Sequence, residues 1–162
     1  MRRSRGSVYV LDTSSIRVFG NYYPTRFAKL WKNLSRCIKS GRLISVSEVL
    51  TELDRQSTKP HLDKWAAENK RVFLRPTAGE LEFVARIFAI PHFQQLVGEK
   101  QRRLGMPVAD PFIIASAHER EACVVTEESR KAHAGKIPNV CDYFGIDCIN
   151  LETFMEREGW FF

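Results

Sequence analysis

Short, wholly apolar runs alternate with longer amphipathic stretches along this chain. Val8-Tyr9-Val10-Leu11 is the first run, and Asp12-Thr13-Ser14-Ser15, a group of helix-capping residues, ends it. Four apolar residues in succession suit a strand buried on both faces, and the polar cluster predicts a helix starting there. From Arg26 to Ser40, Phe27, Leu30, Trp31, Leu34 and Ile38 recur at helical spacing, and Gly41 supplies a stop. Leu43-Ile44-Ser45-Val46 reads as a second strand running into a helix through Glu48 and Glu52. Leu62 to Asn69 reads as a further helix, Val72-Phe73-Leu74 as a third strand, and Leu81 to Ile90 as an amphipathic helix broken by Pro91. The polar, basic stretch 98–107, punctuated by Gly98 and Gly105, reads as a loop or frayed helix end. A helix from Pro111 to about Glu121 follows Asp110. Cys123-Val124-Val125-Thr126 forms a fourth strand, 129–139 a loop, and Cys148-Ile149-Asn150-Leu151 a fifth strand.

Strands alternating with helices predict an α/β domain: three layers, α/β/α, around a central, mainly parallel sheet of about five strands. With 162 residues and 44% hydrophobic content, one domain with a real core is expected, the core spanning about 8–151 and a tail 152–162. No apolar run approaches the roughly 20 residues of a membrane helix, and the segment after the basic start is too short for a signal-peptide core. A cytoplasmic address without membrane contact is therefore expected. The four cysteines, Cys37, Cys123, Cys141 and Cys148, form no Cys-x-x-Cys pair and read as reduced thiols rather than a zinc site, even with His133 near the last two. Charge adds one thing. Residues 1–60 hold 12 Lys and Arg against 4 Asp and Glu, and 61–162 hold 13 against 15. A basic half points to a polyanionic partner, nucleic acid first.

In parallel α/β folds ligands bind beyond the carboxyl ends of the strands, so acids at those ends carry the chemical interest. Asp12 ends strand one. Its ordinary role is to cap a helix, but Thr13, Ser14 and Ser15 can cap too, and a carboxylate on a buried strand end calls for a cation. Ser45-x-x-Glu48 fits a capping box, which gives Glu48 a structural task and leaves Glu52, one turn on, without one. Asp110 followed by Pro111 fits an N-cap and first helical residue, opening a helix apolar enough to be buried. Glu127 and Glu128 follow Thr126, and two adjacent loop acids are commonly just solvated. Asp12, Glu52, Asp110 and Glu128, with Glu127 as rival to Glu128, map to the same sheet edge. An oxygen-only set suits Mg²⁺ or Mn²⁺, the ions used in phosphodiester hydrolysis.

These pieces resemble the PIN domains, the ribonuclease fold of VapC-type toxins. Val8-Tyr9-Val10-Leu11-Asp12-Thr13-Ser14 is similar to the family's opening strand, and Ser47-Glu48-Val49-Leu50-Thr51-Glu52-Leu53 to its helix ending in Glu-Leu. Ala109-Asp110-Pro111-Phe112-Ile113-Ile114-Ala115-Ser116-Ala117 is similar to the third motif, and Val124-Val125-Thr126-Glu127-Glu128 to the Thr-x-Asp that closes the site. The resemblance implies a PIN-like fold and a metal-dependent endoribonuclease, with Asp12, Glu52, Asp110 and Glu128 as catalytic metal ligands for Mg²⁺ or Mn²⁺. Thr13, Ser14 and Thr126 would support them. It further implies an RNA substrate, homodimers and, in many members, a small antitoxin partner. Glu128 stands where the family has Asp, Pro111 is atypical, and the stretch after 138 is longer than in the simplest members. The Glu128 departure keeps a second reading, a PIN-like module that binds RNA or protein with little or no turnover. A phosphatase or nucleotide-binding domain ranks last, because Asp12-Thr13-Ser14 lacks a second Asp and no Gly-rich phosphate loop follows a strand. Trp160, Phe161 and Phe162 are expected to dock on the chain's own body, a dimer mate or an antitoxin.

Overall fold

The structure, a computed structural model, describes residues 7–56, 59–98, 104–105 and 108–162. The described elements run β1 (Tyr9–Leu11), α1 (Thr13–Phe19), α2 (Ala28–Lys39), β2 (Leu43–Val46), α3 (Ser47–Arg55), α4 (Pro60–Glu68) and β3 (Phe73–Leu74). Then come α5 (Ala78–Phe88), α6 (Asp110–Arg120), β4 (Cys123–Val125), α7 (Ile137–Phe144), β5 (Cys148–Ile149) and α8 (Leu151–Arg157), with 3₁₀ turns at Lys70–Val72 and Pro91–Leu96. Most of the basic stretch 98–107 lies outside the described residues.

Five strands form one sheet in the order β3-β2-β1-β4-β5, and every pair is parallel. β1 is central and fully buried, which is why its run is apolar without alternation. Right-handed crossovers fix the layers. The connections β1 to β2 and β2 to β3 step one way along the sheet and put α1–α4 on one face. The return from β3 past β1 to β4, and on to β5, puts α5–α7 on the other. The packing agrees: α3 touches α1 and α4, while α6 touches α5, α7 and strands β1, β2 and β4. The stepping direction reverses between β1 and β4, so a crevice opens beyond their carboxyl ends, where ligands bind in open α/β sheets.

Several local expectations shift. α5 begins at Ala78, three residues before Leu81, because Thr77 and Glu80 form a reciprocal capping box. The box expected at Ser45 and Glu48 does not form. β2 continues through Val46, Ser45 sits opposite Phe73, and its hydroxyl donates to the Leu11 carbonyl at 2.6 Å. Glu48 instead accepts from the Ser47 hydroxyl at 3.2 Å. The expected loop 129–139 ends three residues early, where α7 opens at Ile137 with Pro138 in its first turn. Leu151 opens α8 rather than ending β5, since the Asn150 side chain accepts from the Thr153 N–H at 2.9 Å and caps the helix.

The stretch after 151 is part of the body. Phe154 is fully buried, edge-on to Tyr9 at 4.7 Å, and Trp160 packs on Phe154 at 5.1 Å. Glu158 accepts from the Tyr9 hydroxyl at 3.1 Å and pairs with Arg42 at 2.5 Å. Burial first, and Glu158 second, push the Tyr9 phenol up to about 12. Trp160 thus docks on its own chain, while Phe161 and Phe162 stay exposed. No described helix is long and apolar enough to cross a membrane.

Candidate active site

Asp12 is the residue at which β1 becomes α1. Its backbone is extended, its N–H donates to the Val125 carbonyl of β4 at 3.1 Å, and its side chain caps α1 by accepting from the Ser15 N–H at 2.9 Å. The capping role is therefore real. It does not exhaust the carboxylate, which is only 4% exposed and also accepts from the Thr126 hydroxyl at 2.6 Å and from the Ser14 hydroxyl at 2.8 and 2.9 Å. Buried carboxylates need this density of donors. Thr126, at the end of β4, thus locks the two strands that bound the crevice.

Glu52 projects from the second turn of α3 and bridges two elements. One oxygen accepts from the Ala109 N–H at 3.0 Å, just before α6, and the other from the Thr13 hydroxyl. Asp110 behaves differently from expectation. It is the first residue of α6, not its cap: Ala109 holds the cap position, and no side chain caps there. Pro111 is accordingly the second helical residue, where its missing N–H costs nothing. Among the described residues no hydrogen bond is recorded to the Asp110 carboxylate. Burial, then the charges of Glu128, Glu52 and Asp12 in that order, push it up to about 8.

Glu127 and Glu128 are separated by what they hold. Glu127 accepts from the Leu151 N–H at 2.7 Å, at the start of α8, while its own N–H donates to the Ser14 hydroxyl at 3.0 Å. Glu128 accepts from the Ile137 N–H at 3.1 Å, at the start of α7, and its N–H donates to the Thr126 hydroxyl at 3.1 Å. Each acid sits where a helix N-terminus favours negative charge. Glu128 alone of the two acts on Asp110. Burial raises its own carboxyl most, the Ile137 N–H lowers it, and Asp12, Lys136 and Glu52 contribute in turn, Lys136 lowering and the acids raising.

The structure therefore brings Asp12, Glu52, Asp110 and Glu128 within electrostatic reach of one another, from four different elements, with Glu127 turned to α8. None of the four is in an ion pair among the described residues. Beside them opens a cleft of about 480 Å³, lined by Thr126, Glu127, Glu128, Arg130, Cys148 and Asn150 among others. Lys136 and Arg130 carry no signal in the sequence, because both fall in the expected loop 129–139.

A family model described as "Domain of unknown function (DUF4411)" matches residues 9–162. The chain belongs to this family. No curated protein matches it. The solved structure of VapBC2 from Rickettsia felis, bound to a DNA fragment from their promoter, is similar at a TM-score of 0.49 and 16% identity, covering 88% of this chain and 98% of that chain.

Whether this DUF4411 chain suits a divalent cation turns on its donors. Among the described residues no three His, Cys, Asp or Glu side chains stand as a ready ligand set. Glu52 and Glu128 each have one oxygen occupied by a backbone N–H group. The chemistry nevertheless fits a hard ion: every candidate ligand is a carboxylate oxygen, and among the described residues no Lys or Arg forms an ion pair with any of the four. The Asp110 carboxylate is the least encumbered ligand. The four cysteines are free thiols.

Proposed function

We propose that this chain is a divalent-metal-dependent nuclease acting on RNA, with Asp12, Glu52, Asp110 and Glu128 as its acidic centre. One observation carries the reading. Four carboxylates from four elements lie within electrostatic reach of one another at the switch point of a parallel sheet, none in an ion pair among the described residues, and burial and the other three charges raise one of them to about 8. Such a raised acid marks functional sites. The PIN-like motifs of the sequence favour the same chemistry.

Asp12, fixed by Ser14, Ser15 and Thr126, gives the centre a rigid anchor. Thr13 orients Glu52, and Thr126 orients both Asp12 and the backbone of Glu128. Asp110 holds its proton near neutral pH until positive charge arrives. A bound Mg²⁺ or Mn²⁺ would supply that charge, lower the pKa of a water and offset charge on the scissile phosphate. Glu128, whose carboxyl burial raises, would serve as the acceptor of a proton from an attacking water.

The test is cleavage of end-labelled RNA by purified protein in Mg²⁺ or Mn²⁺, against the same reaction in chelator. Asp12→Asn and Asp110→Asn should each lose at least about 100-fold in rate. Variants that cleave as fast as the parent sink the assignment. A toxin role, an antitoxin partner and homodimers belong to the same reading, and size-exclusion chromatography with co-purification addresses them. A second reading, a binding module with little or no turnover, is favoured by the commitment of Glu128 to the α7 start. RNA bound but uncut in Mn²⁺ would select it.

A further inference from the structure

From Thr13 through Ser47 the sequence holds seven Lys and Arg and no acid. Arg42 is used by Glu158. The other six, Arg17, Arg26, Lys29, Lys32, Arg36 and Lys39, are exposed, and none is in an ion pair among the described residues. Lys29, Lys32, Arg36 and Lys39 recur at spacings of three, four and three, which lines them along one face of α2 over about 15 Å. Arg36 and Lys39 lie in the last turn, where cations suit the helix dipole, but Lys29 and Lys32 lie in the first half, where they do not. A helix gains from acids in its first turn, and α2 has none there.

Exposed rings gather at one end of the stripe. Tyr23 is 53% exposed, Phe27 38%, Phe161 78% and Phe162 60%. The last two are held there by Lys29, whose ammonium donates to the Phe161 carbonyl at 2.9 Å and lies 5.9 Å from the Phe162 ring centre. The Lys59 ammonium lies 5.4 Å from the Tyr23 ring centre. Tyr22 and Phe161 line a cavity of about 590 Å³ that Glu127, next in sequence to the acidic centre, also lines. Glu152 and Glu156 also line it, and would keep a polyanion on the Lys29 side.

We propose that α2 and the closing residues Phe161 and Phe162 form a platform for single-stranded RNA, the cations tracking phosphates and the rings stacking on bases. Charge alone would fit an acidic protein or an anionic lipid surface. The rings decide for RNA: Phe162 lies by Lys29 and Tyr23 by Lys59, the pairing of exposed ring and cation that a stacking platform uses, whereas a bilayer needs a broad apolar face. The choice of RNA among single strands rests on the nuclease reading of the acidic centre.

The experiment is anisotropy of a labelled 12-nucleotide single-stranded RNA with the full chain, in chelator so that nothing is cut. A triple variant, Lys29→Gln with Lys32→Gln and Arg36→Gln, should weaken binding at least about tenfold at low salt and reduce the slope of log affinity against log salt by about two. Phe161→Ala with Phe162→Ala should weaken binding about tenfold and leave that slope unchanged. Both variants alter only exposed positions, and circular dichroism checks their fold. Unchanged affinity in both overturns the platform, as does a parent that binds anionic vesicles and ignores the RNA. Binding lost in the variants while the parent never cleaves in Mg²⁺ or Mn²⁺ keeps the platform and removes the nuclease. Cleavage with binding indifferent to both variants does the reverse.

Discussion

Replacing Asp110 by Asn tests the electrostatics of the site without needing a substrate. In the folded chain this carboxyl ionises near pH 8, against 3.8 ordinarily, because of burial and the charges of Glu128, Glu52 and Asp12. The folded state therefore holds the proton more tightly than the unfolded chain, and stability falls as pH rises between those two values. From pH 5 to pH 8 the ceiling on that loss is about 4 kcal/mol, at about 1.4 kcal/mol per pH unit. Water reaching a half-buried group lowers this, and about 2 kcal/mol is the expected effect. Asn has nearly the same shape and no charge to lose. The melting temperature of Asp110→Asn relative to the parent should rise by about 4–8 °C between pH 5 and pH 8.5 in chelator. Mg²⁺ or Mn²⁺ should then raise the melting temperature of the parent more than that of the variant. Thermal melts across pH, followed by circular dichroism, read both effects. A relative melting temperature that does not rise between those pH values refutes the account of Asp110 as an acid strained by its neighbours.

The two adjacent acids should part company. Glu128→Gln is expected to cut RNA cleavage by at least about tenfold, while Glu127→Gln leaves it within about threefold, measured at saturating Mn²⁺. Glu158→Ala strands the Arg42 guanidinium and the Tyr9 hydroxyl, and should cost about 2–3 kcal/mol in urea denaturation without touching cleavage. Glu121 ends α6 in the left-handed region at φ 51°, where a side chain is strained. Glu121→Gly should therefore stabilise the chain by up to about 1 kcal/mol, and a loss of stability would contradict that reading.

Much of this was legible because the physics involved is local. A wholly apolar Val8–Leu11 can only be a strand covered on both faces, and a polar cluster at its end can only turn into a helix. The apolar helix after Asp110 had to be interior, and Ile113 to Ala117 are buried. The parallel sheet followed from alternation alone. What was not legible depended on competition between remote partners. Ser45 had the spacing of a capping box, but β3 claimed its backbone and the Leu11 carbonyl its hydroxyl. Asp110 looked like a cap, and tertiary packing started the helix one residue early, which released its carboxylate.

Sequence by itself thus determined the class of fold and the edge at which the acids lie, since hydrophobic period and strand-end chemistry act over a few residues. Only tertiary structure decided how those acids differ. Glu127 and Glu128 are identical in chemistry and adjacent in chain. They diverge because the N-termini of α8 and α7, which reach them from 24 and 9 residues away, draw one out of the cluster and leave the other within it.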